Sequence, residues 1–228
     1  MNAKKLSFLL LILVAVACTN RSTSSEQDEM RHWNNVLQQI NALLLENKAR
    51  QTLDLAKQTL PEILESAEKN GTTDTLIYYA RKIFNACGNN YINTKQYKDG
   101  IDYMDSIGNH PLIREHCPHE LLSFKAGLNQ LYGNNPEAVR LAEDYLQLPV
   151  CTSANDFIRQ AEIISGVYMY SGNNLPKAIQ ILEKAIDVYR KGGNFPNMLR
   201  IMSRLGIYYH LSGEYEKAIA TKIGRAHV

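Results

Sequence analysis

From about residue 30 to residue 221 the apolar residues return every three or four positions, which lays them along one face of an α-helix. Short turn-forming stretches interrupt the pattern at intervals. It therefore predicts a series of helices joined by tight turns. No β-rich segment competes. Ahead of this region the pattern changes twice. Phe8 to Ala17 is an unbroken apolar run, and Thr19 to Asp28 is polar, with Ser22, Ser24 and Ser25.

The helical region repeats itself. Leu205-Gly206-x-x-Tyr209-x-x-x-Gly213-x-Tyr215-x-x-Ala218 has the same spacing as Cys87-Gly88-x-x-Tyr91-x-x-x-Lys95-x-Tyr97-x-x-Gly100. A third stretch, Ile164-Ser165-x-x-Tyr168-x-x-x-Gly172, reaches Ala178 after one extra turn residue. Ala126, Gly133 and Ala138 keep the same register, and the earliest stretch has Trp33, Leu37, Ile40, Ala49, Leu53, Ala56 and Pro61. This pattern resembles the tetratricopeptide repeat (TPR), a helix–turn–helix with the signature W-x₂-L-G-x₂-Y, A-x₃-F, P. On that resemblance Trp33 takes the repeat's position 4, Ala49 position 20, Leu53 position 24, Ala56 position 27 and Pro61 position 32.

The small position-20 residues are then Ala49, Gly100, Ala138, Ala178 and Ala218, separated by 51, 38, 40 and 40 residues. The family ideal is 34, so the turns or helices are longer here. Gly192-Gly193-Asn194-Phe195-Pro196 supplies one stretched turn. The 51-residue interval implies a long second helix after Pro61, or an extra one. Small residues at position 8 (Gly88, Ala126, Ser165, Gly206) let paired helices approach closely, and Tyr91, Tyr168 and Tyr209 fill the space between repeats. The expected fold is all-α, a solenoid of about five TPR-like repeats over residues 30–221, stabilised by neighbour contacts. Among the three Gly-Asn-Asn triplets, Gly133 and Gly172 are expected as left-handed caps, and Gly88 as a packing residue within a helix.

The resemblance also implies a ligand surface. In TPR proteins the first helices line a concave groove that binds peptides or partner helices. Its positions map to Arg31, Asn34, Gln38 and Asn41 in repeat one and to Lys82, Asn85, Asn89 and Asn93 in repeat two. Repeat three gives Glu120, Ser123 and Gln130, repeat four Arg159, Glu162 and Tyr170, and repeat five Arg200, Ser203 and His210. Many are carboxamides, which both donate and accept, as an extended peptide backbone requires. The family's Lys/Asn clamp for a carboxylate tail is not reproduced.

The two ends carry a different message. Lys4 and Lys5 precede the apolar run, which spans about 15 Å as a helix and is half the thickness of a bilayer core. Ala15-Val16-Ala17 and then Cys18 follow. This resembles a bacterial lipobox: residues 1–17 read as a signal peptide and 18–29 as a lipidated Cys18 with a flexible tether. Ordinary cleavage after Ala17 is the alternative. At the other end, Ile223-Gly224-Arg225-Ala226-His227-Val228 is what ATC GGA AGA GCA CAC GTC encodes, and Lys222 supplies the preceding AG. Residues 222–228 therefore resemble a translated sequencing adapter, and the chain reads as a truncated fragment. The second helix of repeat five then stops at Thr221, leaving an apolar face that should fray or aggregate.

These ends change the charge. The chain has 25 basic and 23 acidic residues. Without Lys4, Lys5, Lys222 and Arg225 the basic count falls to 21, which argues against a nucleic-acid partner. The 45% hydrophobic content excludes wholesale disorder.

Candidate chemistry is sparse. No phosphate loop, dinucleotide motif, nucleophile elbow or zincin helix occurs. His116-Cys117-Pro118-His119-Glu120 has three zinc-type ligands but no second cluster. It reads as an inter-repeat loop with Glu120 in the next helix's first turn. Cys87 reads as a buried thiol, and Cys117 and Cys151 as too far apart to bridge. The sequence thus points to a non-catalytic module without metal or cofactor. Its expected partners are a protein or peptide, and a membrane through the lipid anchor. Two full-length identities compete: a lipoprotein scaffold of the bacterial envelope, and the extracytoplasmic sensor region of a membrane-spanning regulator. An enzyme whose catalytic domain lies beyond the fragment is a third.

Overall fold

A computed structural model describes residues 24–149, 154–192 and 195–226, and every element among them is helical. The helices are α1 (Ser24–Leu45), α2 (Ala49–Asn70), α3 (Asp74–Asn93), α4 (Tyr97–Gly108), α5 (Pro111–His116), α6 (Pro118–Tyr132), α7 (Asn135–Gln147), α8 (Ala154–Tyr170), α9 (Leu175–Gly192), α10 (Phe195–Leu211) and α11 (Tyr215–Ala226). Five hairpins result: α1/α2, α3/α4, α6/α7, α8/α9 and α10/α11. The short α5 is inserted between the second and third. The fold is an all-α solenoid of TPR-like repeats.

One turn design serves all five hairpins. A single residue with positive φ reverses the chain: Asn47 (55°), Lys95 (59°), Gly133 (96°), Asn173 (43°) and Gly213 (81°). In four turns the following N–H donates to the carbonyl five residues back, as Lys48 to Leu43, Gln96 to Tyr91, Asn134 to Asn129 and Glu214 to Tyr209. Such bonds satisfy carbonyls that a helix end leaves orphaned. In the fourth hairpin Asn174 reaches Tyr168, six residues back, which accommodates the extra residue expected there. The cap expected at Gly172 is moved by the same insertion to Asn173.

The turns also correct the register of repeat one. Gly100, Ala138, Ala178 and Ala218 each lie five residues after the left-handed residue of their hairpin. The same step from Asn47 lands on Thr52, which is fully buried, and not on Ala49, which opens α2 and is partly exposed. Position 20 is therefore Thr52. The assignments of Trp33, Leu53, Ala56 and Pro61 shift by three as well, to Val36, Ala56, Thr59 and Leu64. Thr52 fits a small-residue site because its hydroxyl donates to Lys48 O at 2.9 Å within its own helix.

The interval to the next repeat is filled by long helices. Helix α2 has 22 residues and α3 has 20. Pro61 lies inside α2 on its exposed side and does not end it. An interior proline costs about 3 kcal/mol, and burial of Ile63, Leu64 and Ala67 beyond it offsets that cost.

Two apolar cores form, and α6 belongs to both. Phe124 and Leu128 join the N-terminal core with Leu53, Leu60, Ile83 and Phe84. Ala126 joins the C-terminal core with Leu141, Ile164, Leu182 and Ile201. The tyrosines sit where repeats meet. Lys57 of α2 stands over the Tyr91 ring at 5.6 Å, and Tyr209 OH donates to Glu183 of α9 at 2.5 Å. Helix α11 continues past Thr221, where the sequence placed its end, through Ala226.

Candidate functional site

A groove of about 470 Å³ opens on the side formed by the first helices of the hairpins. Leu44 of α1 lies at one edge. Helix α3 contributes Ala86, Asn89, Asn90, Ile92 and Asn93. Helix α8 contributes Arg159, Glu162 and Ile163, and α10 contributes Arg200 and Arg204. Residues from repeats one, two, four and five thus surround one space.

A glycine in the intervening helix lies next to the two isoleucines of this lining. Gly127 of α6 lies beneath Ile163, and a Cβ added there would come within 2.6 Å of Ile163 Cγ2 and 4.0 Å of Ile92 Cδ1. With no side chain at 127, Ile163 seats against α6 and borders the N-terminal core, to which α6 itself gives Phe124 and Leu128. Residues of α3 and α8 line the groove together.

The wall opposite α3 is ionic. Arg200 Nη2 lies 2.6 Å from Glu162 Oε2, and this carboxylate is largely buried. Arg204 Nη1 donates to the main-chain carbonyl of Glu162 at 2.7 Å. Both bonds tie α10 to α8, and so repeat five to repeat four. The α3 wall is made of carboxamides. Asn90 is fully buried and its Nδ2 donates to Ala86 O at 2.8 Å, which fixes the amide. Its Oδ1 has no hydrogen-bond partner among the described residues. A buried acceptor left so costs about 1–3 kcal/mol.

The groove gathers five of the residues selected from sequence: Asn89, Asn93, Arg159, Glu162 and Arg200. The others lie elsewhere. In repeat one the register shift moves the positions by one turn, so Arg31 and Gln38 drop out, Asn34 and Asn41 stay on the exposed side, and Leu44 is the residue that reaches the groove. Lys82 stands over Tyr78, and Asn85 O accepts from Asn89 Nδ2. Glu120 and Ser123 are buried, contrary to a groove role: Glu120 meets Arg81 at 3.2 Å, and Ser123 donates to Glu120 O. Arg81 of α3 covers Glu120 and also donates to His116 O at the end of α5, which closes this part of the first-helix side. Gln130 and Ser203 are partly covered outside the groove, Tyr170 is exposed, and His210 stacks edge-on against Tyr215. Sequence reasoning missed Asn90 and Arg204, which sit one position past the family's groove positions.

The remaining candidates resolve simply. His119 lies 2.7 Å from Pro149 O, Glu120 faces Arg81, and Cys117 is buried between α5 and α6. Among the described residues no three metal-ligating side chains converge. Burial pushes the Cys87 thiol up to about 12, with the Tyr103 hydroxyl 3.8 Å away. Burial also raises Tyr103 itself. Cys18 and Cys151 lie outside the described residues. No described helix is long and apolar enough to cross a membrane.

No family model matches the chain, and no curated protein matches it in sequence. In structure it is similar to the TPR-like repeats of a putative kinesin light chain from Podosopora anserina. That similarity covers 87% of this chain and 94% of that chain, at 11% identity and a TM-score of 0.54. A double mutant of MamA RS-1 is similar over 88% of this chain and 94% of that chain, at 16% identity and a TM-score of 0.50. At these identities the likeness concerns the fold.

Proposed function

We propose that this TPR-like solenoid is a non-catalytic interaction module that holds a peptide segment of a protein partner in the groove between α3 and α8. The observation that carries the reading is the groove's construction. It is lined by first helices alone, it joins carboxamides on one wall to guanidiniums on the other, and it has an apolar floor at Ile92 and Ile163. Such a surface suits an extended chain, whose main chain needs both donors and acceptors and whose side chains need pockets.

Peptides selected from a random display library on the full chain in detergent test this. Binding is expected to be lost in Asn93→Trp, which fills the groove from an exposed position. Selected peptides that bind this variant as well as the wild type would place the binding surface elsewhere.

The module is held at a bacterial membrane through lipid on Cys18, as an envelope scaffold. Support comes from the basic start, the short apolar run and Ala15-Val16-Ala17-Cys18. Cys18→Ala should move the protein from the membrane to the soluble fraction. Unchanged partitioning rejects the anchor. A second reading, the extracytoplasmic sensor of a membrane-spanning regulator, is favoured by the 40-residue period from Gly133 to Asn173 to Gly213. The two differ in what the gene encodes beyond residue 221, which resequencing its 3′ end from source DNA decides.

A further inference from the structure

Resting on the adapter reading of residues 222–228 and independent of the groove, we infer that the outer face of α11 seats a sixth hairpin encoded by the same gene, and that the natural protein has a carboxylate where Ile223 stands.

Four joints within the chain point to this. At each, the residue ten places after the left-handed residue of a hairpin is charged and reaches the next hairpin. Lys57 stands over the Tyr91 ring at 5.6 Å, and Asp105 meets Lys125 at 2.6 Å. The last two joints share one design. Glu143 of α7 meets Lys177 of α9 at 2.5 Å, and Lys177 lies over the Tyr168 ring at 5.1 Å. Glu183 of α9 accepts from the Tyr209 hydroxyl, and Lys217 of α11 lies over that ring at 5.3 Å. Burial raises the pKa of both tyrosines, and the neighbouring Glu143 and Glu183 raise them further. The tyrosine follows its glutamate by 25 and 26 residues, and the lysine follows by 34 in both. These carboxylates hold one hairpin to the next through charge-assisted contacts. In the fifth hairpin the same step from Gly213 lands on Ile223, whose side chain can neither carry charge nor accept a hydrogen bond.

Packing along α11 is an independent argument. Six places after the left-handed residue stand Leu53, Ile101, Val139 and Ile179, and all four lie in or against the two cores. Ile219 is next in that series and is 58% exposed, and Tyr215, four places before it, is 59% exposed. The third hairpin shows what covers these places. There Asn135 and Val139 stand where Tyr215 and Ile219 stand in the fifth. Ser171 donates to Asn135 Oδ1 at 2.8 Å, and a Cβ added at Gly172 would meet Val139 Cγ2 at 3.4 Å. Both covering residues come from the turn of the following hairpin. A second copy of the chain stacked head to tail does not suit this face, because every exposed residue of α1 from Gln27 to Asn41 is polar.

Source DNA read through the 3′ end of the gene is the first test. A codon for Asp or Glu is expected at 223, with Tyr 25 or 26 codons later and Lys 34 codons later, as in the two preceding joints. An uncharged or basic residue at 223, or no tyrosine at that spacing, would overturn the inference while the adapter reading stands. Codons that repeat Ile223 to Val228 would overturn both.

Hydrogen exchange of the full chain in detergent, read by mass spectrometry, tests the joint itself. Glu183→Gln should speed exchange in α10 and α11 by about tenfold and leave α3 unchanged. Glu216→Gln, at an exposed position of α11, should change nothing. Equal exchange in the Glu183 variant and the wild type would mean that the carboxylate does not hold the hairpins together, and the case for one at 223 falls. Extension of the chain through the gene's own next hairpin should slow exchange around Ile219 by about tenfold or more. Unchanged exchange there would reject that hairpin as the cover of α11.

Discussion

The same repeat position holds glycine in both halves of the solenoid, and the two glycines do different work. In the N-terminal half, a Cβ added at Gly88 would fall 2.4 Å from the Phe124 ring, which belongs to the next repeat. The ring stands edge-on to Phe84, one turn away on α3, with centroids 6.1 Å apart. At Gly206, the equivalent position in the last hairpin, the nearest atom to an added Cβ is Ala218 O at 3.8 Å, an ordinary contact. A repeat signature thus records what a position tolerates, and the neighbouring repeat decides whether it is required. The N-terminal half is built around an aromatic wedged onto a glycine. The last hairpin keeps the glycine without the wedge.

The largest expected effect tests how closed the N-terminal core is. Cys87 lies one residue from Gly88, and its thiol titrates near 12 against an ordinary 9.0. Its alkylation by iodoacetamide at pH 8 should be slower than in the unfolded chain by on the order of a thousandfold, read by mass spectrometry of its peptide. The sign for stability follows. The unfolded thiol loses its proton first, so this contribution is complete below about pH 9 and is lost as pH rises toward 12. Rapid labelling of the native protein would mean a loose core.

Next comes the wedge itself. Phe124→Ala should cost about 3–5 kcal/mol in urea unfolding. Gly88→Ala should cost about 1–3 kcal/mol, and less in the Phe124→Ala background, because the clash has one source. Additive costs in the double mutant would show that ring and glycine are not coupled. The register correction gives a second pair: Thr52→Leu should cost about 1–3 kcal/mol by overpacking, while Ala49→Leu should change stability by about 0.5 kcal/mol or less. The reverse order would restore the original alignment. Smallest of all, Gly206→Ala should raise stability by up to about 1 kcal/mol through helix propensity. A loss of stability there would erase the contrast between the halves.

The regular half of the molecule was the legible half. From Gly133 onward the turns recur every 40 residues, and even the extra residue before Ala178 could be read from spacing alone. Repeat one was misplaced by three residues for a physical reason. A slip of three keeps an α-helix close to the same face, so Ala49 and Thr52 both continue an apolar stripe, and only the left-handed Asn47 separates them. Pro61 misled because proline usually ends a helix, and the burial that overrides it comes from other helices. For the groove, the family positions found five lining residues. Asn90 and Arg204 escaped because their place depends on superhelical curvature.

The sharing of α6 between the two cores makes the solenoid something other than a row of beads. Ordinary repeat arrays touch only their neighbours and can come apart one unit at a time. Here one helix serves both halves: Phe124 and Leu128 of α6 pack with repeats one and two, while Ala126 packs with repeats four and five. Pulled from its ends, the chain should release the last hairpin alone and then give way on both sides of α6 in a single rip, because that one helix is mortared into both halves.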